Sequence, residues 1–309
     1  MRANLQTMAS QLSFSFISIA LLFAVAFANF RHQAPGSEMV FSYAGLNGPA
    51  NWGSLNPKFS ICSSGKLQSP INIIKNEAVE NKKLTPLTRD YKLGKAILVN
   101  NGFNIGLLYE GNCGVLIIDG KNYTFKQMHW HSPSEHQIDG VQYALSLSLS
   151  LSTHKLLSNC LHKADSPFRQ YAAELHLVHL SDSGTIAVVS MLYELGDADP
   201  FIIKIANKLG DLAKDANAGN EEAHVPIGAL DNKLLRKNTR KYYRYVGSLT
   251  VPPCTENVIW SVLGKVRTVS KEQVEALKAP LGAEYKLNAR PLQSMNGRKV
   301  ELYDNKITN

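Results

Sequence analysis

Two short segments of the chain put metal-ligating side chains at strand spacing. His129-Trp130-His131 carries two imidazoles two residues apart, and Glu174-Leu175-His176 pairs a carboxylate with a third imidazole at the same spacing, with His179 three residues on. Residues i and i+2 of a β-strand project to one face, so each segment, read as a strand, offers its pair to one side. Three histidines from two strands can converge on a metal and leave the fourth tetrahedral position open, which is the form of a catalytic zinc site; a structural site would close that position. Gln127 shares the face of His129, and Glu174 shares the face of His176. Such acceptors are what a ligating imidazole needs on its other ring nitrogen to fix its tautomer and orientation. One His-x-His alone is equally well read as a pair of ordinary strand histidines; the second strand, with its own acidic partner, favours the metal.

The elements that must present these residues are legible from periodicity. From about Lys95 onward, short apolar or alternating runs are separated by turn signals, as where Ala96-Ile97-Leu98-Val99 meets Asn100-Asn101-Gly102. Val115-Leu116-Ile117-Ile118, then Asp119-Gly120, then the run from Tyr123 to His131 predicts a hairpin, because Asp-Gly readily takes the positive φ angles of a tight turn. Further strands are predicted over residues 171–179, 185–193, 242–249 and 258–266. Helical patterning is confined to residues 200–214, with Asp199 as N-cap, and 271–279, opened by Ser270. The expectation is a β-rich chain with peripheral helices.

Composition sets the outer bounds. With 309 residues, 44% hydrophobic and 19% charged, the chain can bury a substantial core and need not be disordered, so a globular protein is expected. Lys+Arg 33 against Asp+Glu 25 gives a net charge of +8, yet the basic residues are scattered with no run longer than Lys82-Lys83, so no nucleic-acid partner is expected. Arg2, an apolar run over residues 14–27 and the small-residue ending Ala26-Phe27-Ala28 have the order of a secretory signal peptide cleaved after residue 28. The run is short for a bilayer span of about 20 residues, which argues against a signal anchor. An oxidising compartment would let Cys62, Cys113, Cys160 and Cys254 pair, though spacing leaves the pairing open. Asn122-Tyr123-Thr124 is an acceptor sequence for N-glycosylation in a secreted chain.

A longer series of motifs stands in order along the chain: Tyr43 with Asn47-Gly48-Pro49 and Trp52; Gln68-Ser69-Pro70-Ile71-Asn72-Ile73; Gln127-Met128-His129-Trp130-His131; Ser134-Glu135-His136; Glu174-Leu175-His176-Leu177-Val178-His179; Gly247-Ser248-Leu249-Thr250-Val251-Pro252-Pro253-Cys254; and Asn288-Ala289-Arg290-Pro291-Leu292-Gln293. In their order and spacing the chain resembles an α-class carbonic anhydrase of the plant type over roughly residues 39–303. The resemblance implies a β-rich α+β fold in one domain over residues 29–309, built on a central twisted, mostly antiparallel sheet of about ten strands with short peripheral helices. It implies that His129, His131 and His176 ligate zinc, with Gln127, Glu174 and the backbone carbonyl of Asn288 holding those imidazoles from behind. Zinc lowers the pKa of its bound water to about 7, so that hydroxide attacks carbon dioxide to give bicarbonate and a proton. Thr250 would accept the hydroxide's hydrogen and pass its own to Glu135, while Val178, Val188, Leu249, Val258 and Trp260 would wall the apolar pocket for carbon dioxide. Cys62 and Cys254 match the family's disulfide pair, which would pin the Thr250 loop to the N-terminal segment; Cys113 and Cys160 have no counterpart and are expected as free thiols. The implied partners are carbon dioxide and bicarbonate, with no membrane span after signal cleavage, and the implied location is the extracellular space or the plastid reached through the endomembrane route.

The chain departs from that pattern twice. Active members commonly show Asn-Asn-Gly-His near the active-site mouth, where the histidine carries protons to solvent, whereas this chain has Asn100-Asn101-Gly102-Phe103. Phe103 cannot titrate, so the regeneration step loses its tethered carrier while the attack on carbon dioxide survives. Secondly, Glu135 and Glu174 stand 28 positions further apart than the family's spacing, and deleting residues 141–168 restores it. That segment holds a strict Leu-Ser alternation over residues 145–152 and reads as a retained intron or a gene-model error, with a lineage-specific surface loop as the alternative. The sequence thus points first to a zinc lyase that hydrates carbon dioxide. Second comes a carbonic anhydrase-like storage, nectar or binding protein with little hydration activity.

Overall fold

The computed structural model of the chain describes residues 41–140, 170–219, 223–236 and 239–305. The expected signal peptide, the excursion over residues 141–168 and Cys160 lie outside the described residues. Ten strands carry the argument: β1 (Gly94–Asn100), β2 (Ile105–Tyr109), β3 (Gly114–Ile118), β4 (Lys121–His131), β5 (Ala173–Ser181), β6 (Ile186–Leu195), β7 (His224–Leu230), β8 (Lys241–Ser248), β9 (Glu256–Leu263) and β10 (Glu301–Asp304). They run β7-β1-β2-β4-β5-β6-β9-β8-β10 through one 13-stranded sheet, with β3 paired to β4 off this path. The other three strands of that sheet are short pieces at Val79–Glu80, Thr88–Tyr91 and Arg267–Val269, and Asn72–Ile73 pairs with Gln137–Ile138 in a separate two-stranded sheet. Neighbours along the path are antiparallel except β6 and β9. A parallel pair needs a long crossover, and here it spans a helix and two further strands.

Local sequence explains the element ends. The β3–β4 hairpin closes through Asp119 at φ 49° and Gly120 at φ 74°, the left-handed pair that a two-residue hairpin turn requires. Helix α1 (Pro200–Asn217) begins where the Asp199 carboxylate accepts from the Phe201 and Ile202 backbone N–H groups, with Pro200 at the first helical position. Helix α2 (Lys271–Lys278) opens with a reciprocal Ser270–Gln273 capping box. The Gln273 amide also donates to the Asp199 carbonyl and accepts from the Asp199 N–H, so the two helix starts are tied together.

One irregularity decides which face carries the histidines. In β4, Phe125 is paired with His179 but Gln127 with Val178, so Lys126 is an extra residue, a β-bulge. Apolar residues in β4 accordingly switch from odd positions, Tyr123 and Phe125, to even ones, Met128 and Trp130. Because side chains alternate along a strand, the bulge turns Gln127, His129 and His131 to the face of Glu174, His176 and Val178. Two cross-strand rows result on that face. One runs Gln127, Val178, Val188, Trp260, Tyr245, and the next runs Gly106, His129, His176, Ser190, Val262. The other face packs Phe125, Met128, Trp130, Leu175, Leu177 and His179, so β5 is buried along its whole length. Each fully buried Leu or Phe there contributes roughly 1.5–3 kcal/mol.

Candidate metal centre

His129 and His176 are directly opposed across β4 and β5, and His131 is opposed to Glu174 one row on. Each imidazole spends one ring nitrogen on an oxygen acceptor. His129 Nδ1 donates to Gln127 Oε1 at 2.9 Å, His131 Nδ1 to the Asn288 carbonyl at 2.7 Å, and His176 Nε2 to Glu174 Oε1 at 2.7 Å. The remaining nitrogens, His129 Nε2, His131 Nε2 and His176 Nδ1, therefore present lone pairs. His131 Nε2 is buried without any hydrogen-bond partner, and His129 Nε2 faces His176 Nδ1 at 3.3 Å. Two lone pairs at that separation repel unless a cation lies between them. Zn–N bonds of about 2.0–2.1 Å at a tetrahedral angle place two ligating nitrogens roughly 3.3 Å apart, so the residues fit a zinc ion. One donor atom from each of the three histidines lies within 4.8 Å of the others. Burial pulls all three imidazoles below their ordinary pKa, His131 to about 4, and a neutral imidazole is the ligating form.

Behind the triad, Glu174 accepts five hydrogen bonds. His136 Nδ1, His176 Nε2 and Ser190 Oγ donate to one carboxylate oxygen, and the Glu135 and His136 backbone N–H groups donate to the other. Burial alone would raise its pKa, but the adjacent His136 and His176 with their hydrogen bonds hold it well below the carboxylate range. His136 in turn meets the Tyr245 hydroxyl at 2.6 Å, and that hydroxyl meets Ser69 Oγ at 2.8 Å. No motif of the sequence marks Ser190 or Tyr245, and His136 stands in Ser134-Glu135-His136 with no role attached to it. The legible signal was Ser190, a hydroxyl inside the otherwise apolar run Val188-Val189-Ser190-Met191-Leu192.

Glu135 Oε2 stands 3.5 Å from His131 Nε2, and Glu135 Oε1 accepts from the Arg290 N–H at 3.0 Å. Burial pushes the Glu135 carboxyl up to about 7, against the His176 imidazole, the Thr250 hydroxyl and the Arg290 N–H, which favour its ionised form. Glu135 Oε2 is buried without a hydrogen-bond partner. Of the expected apolar wall, Val178, Val188 and Trp260 lie side by side in the row next to the histidines and Val258 is fully buried beyond them, while Leu249 is half-buried at the end of β8.

Phe103 does not stand free at a solvent-facing mouth. It is 4% exposed, its ring lies 5.3 Å from that of Phe41, and its carbonyl accepts from Asn288 Nδ2. Cys62 and Cys254 form the disulfide, and Cys113 is a buried free thiol. Asn122 is exposed at the start of β4, just past the hairpin turn. Among the described residues, no helix is long and apolar enough to cross a membrane.

Residues 47–304 match the family model described as eukaryotic-type carbonic anhydrase. Alpha carbonic anhydrase 7 of Arabidopsis thaliana is 37% identical over 288 residues, 93% of each chain. Among solved structures, dioscorin complexed with ascorbate has a TM-score of 0.74 at 34% identity, covering 87% of this chain and 99% of that one. The alpha-carbonic anhydrase of Thermovibrio ammonificans with the inhibitor sulfanilamide has a TM-score of 0.67 at 31% identity, covering 86% and 100%.

Proposed function

Because this chain belongs to the eukaryotic-type, or alpha, carbonic anhydrase family, we propose that it interconverts carbon dioxide and bicarbonate, with release of a proton, at a zinc ion held by His129, His131 and His176. The observation that carries the reading is the pair of facing nitrogens, His129 Nε2 and His176 Nδ1, beside the orphaned His131 Nε2. Zinc bound there supplies a Lewis acid that ionises water near neutral pH.

The chain's own residues do the rest. Gln127, Glu174 and the Asn288 carbonyl hold the three imidazoles in their ligating tautomers, and the ionised Glu174 offsets part of the positive charge. Glu135, when ionised, accepts the Thr250 hydrogen, which leaves Thr250 Oγ facing the site as an acceptor and selects a reactant that offers it a hydrogen. Val178, Val188, Leu249, Val258 and Trp260 offer an apolar wall to a linear apolar substrate and exclude competing water. Phe103 supplies no proton carrier, so protons leave through diffusible bases.

The same reading extends to the route of the chain. Residues 1–28 act as a secretory signal, the Cys62–Cys254 disulfide suits an oxidising compartment, and exposed Asn122 accepts a glycan. The second reading, a binding protein of the same fold with little hydration activity, is favoured by Phe103 and by the likeness to dioscorin, which was solved with ascorbate. Metal analysis together with a carbon dioxide hydration assay on the purified chain separates the two. Stoichiometric zinc with hydration supports the enzyme; zinc-free protein, or zinc-loaded protein no faster than buffer, rejects it.

A further inference from the structure

The disulfide is not the only link between its own two half-cystines. Arg290 Nη2 donates to the Cys62 carbonyl at 2.9 Å, Arg290 Nη1 donates to Gln68 Oε1 at 2.8 Å, and Gln68 Nε2 donates to the Cys254 carbonyl at 3.1 Å. A polar bridge through two side chains thus joins Cys62 to Cys254 alongside the covalent bond. Both side chains are buried, Arg290 at 2% and Gln68 at 3% exposed. The remaining contacts fix them firmly. Arg290 Nη1 also donates to the Ser69 carbonyl at 2.9 Å and the guanidinium lies 5.5 Å over the Trp52 ring. Gln68 Nε2 also donates to Glu256 Oε1 at 2.9 Å, and Gly65 has no side chain where a Cβ would collide with that amide and carboxylate.

Both ends of the bridge reach the site. The Arg290 backbone N–H donates to Glu135 Oε1. Cys254 closes the turn that carries Thr250, through Cys254 N–H to the Val251 carbonyl at 2.8 Å, while Leu249 N–H donates to the Thr255 carbonyl at 2.9 Å. One residue therefore grips Glu135 by its backbone and, through Gln68, the Thr250 loop by its side chain. Hydrogen bonds to a charged guanidinium in a buried setting are among the strong ones.

We propose that Arg290 and Gln68 are positioning residues for the Thr250 loop that act in parallel with the disulfide, so that the loop keeps its place when either link is cut and loses it only when both are. The inference rests on the reading of Thr250 and Glu135 as working residues for its functional consequence, but its structural content is independent of catalysis. It implies that reduction of Cys62–Cys254 in the folded protein leaves the site assembled.

The test uses four full-length chains: the parent, Gln68→Met, Cys62→Ala with Cys254→Ala, and all three changes together. Amide hydrogen exchange is read on the peptide over residues 247–256, with the β5 peptide over residues 174–180 as an internal reference for global opening. Each single cut should change loop exchange by no more than about threefold, and the combined variant should exceed the product of the two by roughly tenfold, the coupling expected of two links sharing one task. Exchange in β5 should move little. The visible spectrum of cobalt-substituted protein should change in the combined variant alone. If the alanine pair does not fold, the disulfide is reduced in folded parent and folded Gln68→Met, and the same peptides are followed before global unfolding. Additive effects, a loop released by loss of the disulfide alone, or parallel loosening of the loop and β5 would each overturn the proposal. A parent chain without hydration activity would overturn the functional reading and leave the exchange result standing.

Discussion

His129 and His176 face one another directly across β4 and β5, with Nε2 and Nδ1 3.3 Å apart and both far nitrogens already committed to acceptors. Without a cation this arrangement is repulsive; with one it is a ready ligand set. Zinc should therefore stabilise the fold as well as enable the chemistry, by about 4 kcal/mol when free metal exceeds its Kd a thousandfold. Stripping the metal with a chelator should lower the unfolding temperature, and readdition should restore it. His131→Ala should lose zinc content and hydration together, read by metal analysis and stopped-flow assay. Full activity in that variant would mean the ligand set is wrong.

Removing the bulge tests the geometry rather than the ligands. Lys126 is exposed, so Lys126→Ala should be neutral within about 0.5 kcal/mol. Deleting Lys126 keeps every histidine but puts either Tyr123 and Phe125 or His129 and His131 on the wrong face. Zinc content should fall to background in the deletion and stay stoichiometric in the substitution. Stoichiometric zinc in both would show that the bulge does not set the face.

How far the sequence reaches is visible in β4 itself. The pairing of His129 with His131, and of Glu174 with His176, follows from strand spacing alone, and the Asp119-Gly120 turn and the Ser270 capping box follow from backbone chemistry. The shift of apolar positions from Tyr123 and Phe125 to Met128 and Trp130 also marks the bulge, but a single parity change is easily lost among polar neighbours. The His136–Tyr245 contact and the Arg290–Gln68 bridge could not be read at all. They join residues more than a hundred positions apart, and no local preference encodes a contact that exists only once the sheet has closed.

The Asn100-Asn101-Gly102-Phe103 segment gives a kinetic prediction. Turnover in the parent should rise with the concentration of an imidazole-type buffer, because no tethered base stands at Phe103. Phe103→His should not raise turnover at low buffer, because the side chain there is 4% exposed and packed against Phe41, where an imidazole cannot pass a proton to solvent. Since Phe103 is packed against Phe41, the same change should cost about 1–3 kcal/mol of stability. Buffer-independent turnover in the parent would mean that protons leave by another group of this chain, and a gain at low buffer in the variant would mean that position 103 opens to solvent.

Part of the acid sensitivity should be traceable to His179, which lies on the face away from the three facing histidines. Its Nε2 meets the Tyr91 hydroxyl at 2.8 Å and its Nδ1 donates to the Ala187 carbonyl at 3.2 Å, while burial pulls its pKa from 6.5 to about 3. Below pH 6.5 the unfolded chain binds a proton at this residue that the folded chain refuses. The neutral form's stability is therefore intact above 6.5 and is lost as pH falls towards 3. This one group should add a slope of up to about 1.4 kcal/mol per pH unit across that window. His179→Gln should lower stability at neutral pH but flatten the decline between pH 6 and 4, measured by denaturant titration of metal-loaded protein. Parallel declines in parent and variant would assign the acid sensitivity elsewhere.

The excursion over residues 141–168 should be dispensable, because the residues on either side of it are anchored without its help. Asn72 grips Gly140 twice, through its Nδ2 to the Gly140 carbonyl and through its Oδ1 from the Gly140 N–H. On the far side, Ser134 N–H donates to the Tyr171 carbonyl at 2.9 Å, Tyr171 N–H donates to Ser134 Oγ at 3.0 Å, and Gln170 Nε2 donates to the Ser134 carbonyl at 2.9 Å. These bonds set the start of β5, and with it Glu174 and His176, from the Ser134 side. Chain length between such anchors costs little, since doubling a loop adds only about 0.6 kcal/mol of closure entropy. Deleting residues 141–168 leaves Arg169 to join Gly140 to Gln170, a span of at most ~7 Å. The shortened protein should keep its zinc content and hydration rate, with solubility equal to or better than the parent's, because the Gln142-Tyr143-Ala144 echo of Gln170-Tyr171-Ala172 no longer offers a decoy start for β5. A transcript shorter by these 28 codons should also be amplified across the junction. A deletion that abolishes folding, together with a single long transcript, would make the segment a working part of the protein.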